Sequence, residues 1–220
     1  MFIDALTYPI RRGGWIMILT GALLSLLLDV LQLAPLVGLV VLIFSLGYFG
    51  AFYLDIINTT MGGRHEVPDW PTFSNFWDDI FAPFARLFVL VLISFGPAAA
   101  FLFWGDHHAE WFLGALIGLL GYGCFYFPMA VLAAQAFGGV GAALPHIVFP
   151  ALVRTFPNYF FAVGGLIIAY IASGDGELLA HRVPYVGWLL AAAVSLYALM
   201  FQGRVIGLIY LEKRDALGWD

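Results

Sequence analysis

The sequence predicts an all-α integral membrane protein, a polytopic bundle of about six transmembrane helices. Two observations predict this fold class. Of the 220 residues, 63% are hydrophobic and only 10% are charged, whereas soluble domains carry roughly 45–50% apolar and about 25% charged residues. The apolar residues also fall into six stretches near the length of about 20 helical residues that crosses a hydrocarbon core of ~30 Å. One transmembrane domain over residues 1–220 is the simplest organisation.

The six predicted spans cover residues 15–33, 36–58, 87–104, 111–137, 159–173 and 185–208. We interpret the first span as a retained helix, because it has full spanning length, carries Asp29 and is not followed by a cleavage site. Pro35 stands between the first two spans. Proline donates no backbone hydrogen bond and disfavours helix in the residue before it, which predicts a tight turn; a single kinked helix is the alternative.

The distribution of basic residues predicts the orientation. With the N-terminus in the cytoplasm, eight of the nine lysines and arginines fall on the cytoplasmic side, and only Arg182 falls outside. Lysine and arginine favour cytoplasmic loops. We therefore expect a multi-pass protein of the cytoplasmic (inner) membrane with both termini in the cytoplasm.

The loop between the second and third spans predicts an amphipathic helix over residues 73–84. Its aromatic and aliphatic residues recur at steps of three and four, which places them on one stripe of a helix. Pro71 suits the first helical turn, and Pro83 predicts a bend before the third span. The helix is expected either in the membrane interface or packed beneath the bundle.

Polar residues inside apolar helices are costly and mark candidate sites. Asp29 and Gln32 share one face near the outer end of the first span, where they either line a polar cavity or reach the interface. Asp55 is expected to form a structural ion pair with an inner arginine. The other candidate polar or ion-pair residues lie at the same inner level: Asn58, Arg86, Gln135, Arg154, Gln202 and Arg204.

Chemical motifs are missing from the sequence. No metalloprotease, nucleophile-elbow or phosphate-binding pattern occurs, so we predict no catalytic residue and no cofactor. The two outer loops carry possible metal-ligand types: His107, His108 and Glu110 with Asp106 in one, and His181 with Asp175 and Glu177 in the other. Neighbouring histidines do not match the spacing of structural zinc sites, and a solvated loop is the simpler interpretation. The net charge of −5 disfavours nucleic-acid binding.

Small residues in the fourth span predict close helix packing. Gly114, Gly118 and Gly121 lie three or four residues apart, and such spacing lets a neighbouring helix approach in lipid. The neighbour is either in this chain or in another copy or subunit.

The segment from Gly47-Tyr48 through Asp55, Thr59 and Gly62-Gly63 to Val67-Pro68-Asp69-Trp70 resembles a prokaryotic membrane-protein family, domain of unknown function number 4013. Family members show a glycine–tyrosine start and a Leu-Pro-x-Trp signature, in which Val67 replaces the leucine here. The resemblance implies a multi-helix membrane domain without an established activity, and it transfers no functional residue.

Two classes of function follow from these features. The first is a non-enzymatic accessory or structural subunit of a membrane assembly, with membrane lipids, other membrane subunits or itself as partners. The second is a transporter or channel for a small solute or lipid, with Asp29 and Asp55 along its route. A membrane enzyme with an outer metal site is a remote third class. The scarcity of polar residues in the spans favours the first.

Overall fold

A computed structural model describes residues 1–11, 13–34, 37–156, 158–183 and 186–219. Six of its helices are long and apolar enough to cross a membrane, which confirms the predicted class of helical bundle. The α-helices are α1 (Phe2–Thr7), α2 (Gly14–Gln32), α3 (Gly38–Met61), α4 (Ala82–Trp104), α5 (Phe112–Ala136), α6 (Pro145–Thr155), α7 (Asn158–Ala180) and α8 (Gly187–Leu217).

Several helices extend beyond the predicted spans, and two were not predicted. Helix α7 continues through Asp175 and Glu177 to Ala180, so most of the predicted outer loop is helical. The short helices α1 and α6 lie outside all six predicted spans. The predictions that involve Arg12, the turn at Pro35 and the start of the last span at Tyr185 concern residues outside the described part of the chain.

The predicted separate helix over 73–84 is wrong at its start and at its end. Residues 71–75 are not helical, and the chain enters a π-helical turn, Trp77–Phe81, that runs directly into α4. The Asp79 carboxylate accepts hydrogen bonds from the backbone N–H groups of Ser74 and Asn75, 2.8 and 2.9 Å long, which fixes where the helix begins. Pro83 does not break the helix, because the wider π turn directly precedes it.

The described helices form two compact units. Unit 1 comprises Met1–Ala85 and Gly164–Glu212, and unit 2 comprises Arg86–Val163 and Lys213–Asp220. In unit 1, Phe52 and Ile56 of α3 and Met200 of α8 form a buried cluster with Tyr8. The loop after α3 returns to this cluster, where the Trp70 ring stacks on Phe52 with centroids 4.3 Å apart.

Close helix packing in unit 1 depends on a glycine pair in α8. A Cβ atom at Gly203 would meet Ile56, and one at Gly207 would overlap Thr60, so both glycines let α8 lie directly against α3. The glycines predicted for this role behave differently. A Cβ atom at Gly114, Gly118 or Gly121 would meet nothing within 4 Å among the described atoms, so close packing at these three positions is not observed.

Unit 2 is built around α5. The Tyr126 hydroxyl donates a 2.5 Å hydrogen bond to the Ala143 carbonyl oxygen, which fastens the short 3₁₀ turn Val140–Ala143 to α5. A Cβ atom at Gly123 would overlap the Phe95 ring, so α4 and α5 approach closely at this level. Arg154 of α6 donates a 3.3 Å hydrogen bond to the Leu217 carbonyl oxygen at the end of α8.

Candidate functional site

One of the two polar centres in unit 1 surrounds a fully buried arginine, and we call it the Arg204 cluster. The Arg204 side chain is 0% exposed and is paired with the Asp4 carboxylate, to which its Nε and Nη2 atoms lie 2.9 Å distant. Its Nη1 donates to the Arg64 carbonyl oxygen at 2.7 Å and to Thr60 at 3.2 Å. Its Nη2 lies 2.9 Å from His65 Nδ1, which must accept because a guanidinium only donates.

Packing of the short N-terminal segment completes the Arg204 cluster. The Tyr8 ring lies against the guanidinium, with Arg204 Cζ 4.8 Å from the ring centroid, a cation–π contact. Burial raises the pKa of Tyr8 to about 12, in spite of the opposing Arg204 charge. Burial also opposes ionisation of Asp4, but hydrogen bonds from Arg11 and Arg204 outweigh it and lower the pKa of this carboxyl below 3.8. The cluster therefore holds its charges in a stable, largely satisfied arrangement.

The second polar centre is a groove in unit 1, with a volume of about 340 Å³. Helices α2, α3, α7 and α8 contribute its walls. Its polar lining residues are Ser25, Asp29, Glu177, His181 and Ser195, and its apolar and aromatic lining residues are Leu26, Phe49, Trp188, Ala191, Ala192, Leu196 and Leu199. Small-molecule sites are usually concave and mostly apolar, with a few polar groups.

Two contacts set the geometry of the groove. The Ser195 hydroxyl of α8 donates a 2.6 Å hydrogen bond to Glu177 Oε1 of α7, which holds this carboxylate on the groove wall. The His181 ring meets the Trp188 ring edge to face, with centroids 4.9 Å apart. The indole of Trp188 is still 67% exposed. Asp29 is exposed on α2 and lines the same groove.

The expected ion pair between Asp55 and an inner arginine is not observed. Asp55 is half-buried, and no basic group within the described residues forms a salt bridge with its carboxylate. Arg204 pairs with Asp4 instead. Arg86 of unit 2 donates a 3.1 Å hydrogen bond to Gln135 Oε1, so these two predicted residues do meet. Arg154, as described above, binds the end of α8 in the same unit.

The remaining predicted residues do not form one polar pocket. Gln32 makes a long contact of 3.5 Å to the Ser45 hydroxyl of α3, whereas Asp29 on the same helix lines the groove. Asn58 is exposed and Gln202 is half-buried. Of these residues, Asp29 lines the groove.

The histidines of the predicted outer loops make local contacts. His107 Nε2 lies 2.8 Å from the Leu102 carbonyl oxygen, and the backbone N–H of His108 donates to Asp106 at 3.0 Å. Over the described part of the chain, no three His, Cys, Asp or Glu side chains come close enough together to hold a metal ion.

Most residues of both centres were not predicted from the sequence. Asp4, Tyr8 and His65 lie outside the predicted apolar spans, so the cost of placing a polar group in lipid does not mark them as candidates. Ser195 is a single small hydroxyl in an apolar helix, and only its contact with Glu177 gives it a role. One available signal was the charge of Asp175 and Glu177 directly after an apolar run, which is compatible with a helix that continues past the hydrocarbon core.

Comparison with known proteins identifies no relative. No family model, no curated protein and no solved structure matches the chain. Membership of the family named above therefore stays a prediction.

Proposed function

We propose that the chain is a non-enzymatic integral membrane protein that binds a small solute in the groove of unit 1, as a carrier or as the binding subunit of an assembly. The observation that carries this proposal is the groove itself: two carboxylates, two serines, a histidine and an exposed indole converge on one cavity between apolar helices. Polar groups at such positions are expensive in lipid and are usually functional. The Arg204 cluster serves as the structural support, since its donors are occupied by protein partners.

The test is to extract small molecules from the purified protein and to identify them by mass spectrometry. Ala192 lines the groove, so Ala192→Phe fills it. Ala99 is exposed on α4 in unit 2, so Ala99→Phe is a matched control. We expect a compound that the unaltered protein and Ala99→Phe retain and that Ala192→Phe loses. Identical extracts from all three proteins would contradict a binding function of the groove.

An accessory role without a solute is the second candidate. It is favoured by exposed aromatic residues at the start of the third span, where Phe73 and Trp77 are 62% and 64% exposed. A partner subunit or the lipid interface could cover them. A protein that co-purifies in fixed ratio and is lost in Phe73→Ser/Trp77→Ser, but not in Ala192→Phe, would support this candidate.

We further propose that the protein lies in the cytoplasmic membrane with both termini in the cytoplasm. The asymmetry of eight basic residues against one supports this orientation. Reporter fusions at Gly105 and Arg182, which lie between helices, should report the outside, and a fusion at Gly63 should report the cytoplasm. A cytoplasmic signal from Arg182 would contradict the orientation.

A further inference from the structure

The charge of the groove points to the chemistry of its ligand. Among the described residues, its lining includes the two carboxylates of Asp29 and Glu177 and the imidazole of His181, and no lysine or arginine. Ser195 satisfies one oxygen of Glu177, but a neutral hydroxyl does not compensate the charge. The half-buried carboxylate of Glu177 is stabilised by a nearby cation, since water is partly excluded there, and the exposed carboxylate of Asp29 adds a charge of the same sign. The groove is therefore complementary to a positively charged group.

The surroundings of the carboxylates favour an organic cation over a metal ion. Calcium and magnesium sites use about six oxygen ligands, and zinc sites use at least three protein ligands. No group of three His, Cys, Asp or Glu side chains within the described residues is placed for this. Trp188 lines the groove and stays largely exposed, and its indole is the type of aromatic ring that attracts ammonium ions best. Leu26, Ala192 and Leu199 provide an apolar wall for the rest of the molecule.

We propose that the groove binds an organic ammonium ion with an apolar body, with its nitrogen between Asp29 and Glu177 and beside Trp188. This inference rests on the proposed function and specifies its ligand class. The volume of about 340 Å³ lies at the lower end of the range of roughly 300–1,000 Å³ typical of ligand pockets, which suits a small molecule. The ammonium donates charge-assisted hydrogen bonds to the carboxylates, and the body contacts the apolar wall.

The full chain in nanodiscs, titrated calorimetrically with 2-phenylethylammonium, tests the ligand class. The neutral analogue 2-phenylethanol has nearly the same shape and is the first control. We expect saturable binding of the cation, and binding of the alcohol that is weaker by about tenfold or more, because hydrogen bonds to charged groups contribute about 1.5–3 kcal/mol. Equal affinity for both compounds would overturn the proposal, because the groove would then recognise only apolar shape.

Charge-removing variants locate the site. Asp29→Asn and Glu177→Gln should each weaken cation binding by about tenfold. Asp175 is exposed on the same helix as Glu177 and does not line the groove, so Asp175→Asn is the matched control and should bind as the unaltered protein does. Melting curves verify that each variant is folded. An equal loss in Asp175→Asn would refute a local site, because the effect would then be one of overall surface charge.

The lipid composition of the nanodisc distinguishes two sources of the ammonium group, a lipid headgroup and a free amine. Phosphatidylethanolamine is compared with phosphatidylcholine, which has the same net charge but no N–H donor in its headgroup. If phosphatidylethanolamine in the nanodisc weakens probe binding relative to phosphatidylcholine, a lipid headgroup competes for the groove; equal binding indicates a free amine, and either result supports the ammonium site. Failure of the probe, while Ala192→Phe still loses an extracted compound, would reject the ammonium class and leave the proposed function intact. If Ala192→Phe loses nothing, the proposed function itself fails.

Discussion

Substitution of Asp4 by alanine is expected to cost about 3 kcal/mol of unfolding free energy. Asp4 is the acidic partner of Arg204, whose side chain is fully buried. Removing one partner of a buried ion pair costs roughly 3–5 kcal/mol, because the other charge is left uncompensated. Two features place Asp4→Ala at the lower end of this range. The Asp4 side chain is 29% exposed, and Arg204 keeps its hydrogen bonds to Thr60 and to the Arg64 carbonyl oxygen.

The matched control for this prediction is Arg11→Ala. Arg11 binds the same carboxylate, but its side chain is 36% exposed, and exposed pairs contribute only about 0.2–1 kcal/mol. Reversible unfolding of the micellar protein by sodium dodecyl sulfate, followed by circular dichroism, measures both variants. Equal losses for Asp4→Ala and Arg11→Ala would refute the reasoning, because the cost would then not arise from the buried partner.

Acid should destabilise the protein through Asp4, because the pKa of its carboxyl in the folded state is lowered from 3.8. The stability that the ionised carboxylate contributes is present above pH 3.8 and is lost as the pH falls through the lowered pKa. The loss of unfolding free energy between about pH 5 and 2 should therefore be smaller in Asp4→Asn. Alkali should act through Tyr8 in the opposite direction. The pKa of Tyr8 is raised to about 12, so the stability that its neutral hydroxyl contributes is full below the ordinary pKa of 10.0 and is lost as the pH rises towards 12. In a pH titration, the unfolding free energy of Tyr8→Phe should fall less steeply over that interval. Gly207→Ala should cost about 1–3 kcal/mol in detergent unfolding, because the added methyl overlaps Thr60. Gly118→Ala should be neutral or stabilising by up to about 1 kcal/mol, because its Cβ meets nothing within 4 Å among the described atoms; similar losses for the two glycines would contradict the packing described for α8.

The number of candidate membrane spans and the fold class were predictable, because each span can be identified from its own sequence. An apolar stretch of the right length identifies a span without knowledge of any neighbour. The ends of the helices were less predictable for the same reason. Helix α7 continues over Asp175 and Glu177 to Ala180, and hydropathy falls at these charges although the backbone stays helical. Hydropathy marks the edge of the apolar layer, not the end of the hydrogen-bonded helix.

The entry into α4 shows how side-chain hydrogen bonding decides a boundary that periodicity leaves open. The spacing of the aromatic residues over 73–84 is helical, and Ile80 is fully buried as that spacing predicts. The helix nevertheless begins later, because the Asp79 carboxylate binds the backbone N–H groups of Ser74 and Asn75. Pro83 predicts a bend, but the helix continues through it after the π turn Trp77–Phe81.

The acidic partner of Arg204 was not predictable from the expected depth of the residues in the membrane alone. Asp55 lies in a span and therefore was the nearest acidic candidate, whereas Asp4 belongs to a short segment before the first span. Only the folded chain brings Asp4 and Arg204 together across 200 positions of sequence. The glycine pair of α8 explains why Arg204 pairs with Asp4. These glycines let α8 lie close to Ile56 and Thr60, which directs the Arg204 guanidinium at Thr60 and the N-terminal segment.

Helix α8 carries both polar centres, and this links stability to the proposed site. Ser195 lies nine residues before Arg204, which corresponds to roughly 13 Å along an α-helix. At one level, Arg204 and the glycine pair fasten α8 to α3 and to the N-terminal segment. At the other level, Ser195 holds Glu177 of α7 at the groove. Precise binding requires polar groups held by well-packed elements. The costly burial of an arginine is therefore consistent with a helix that has to keep Ser195 in a fixed position opposite Glu177.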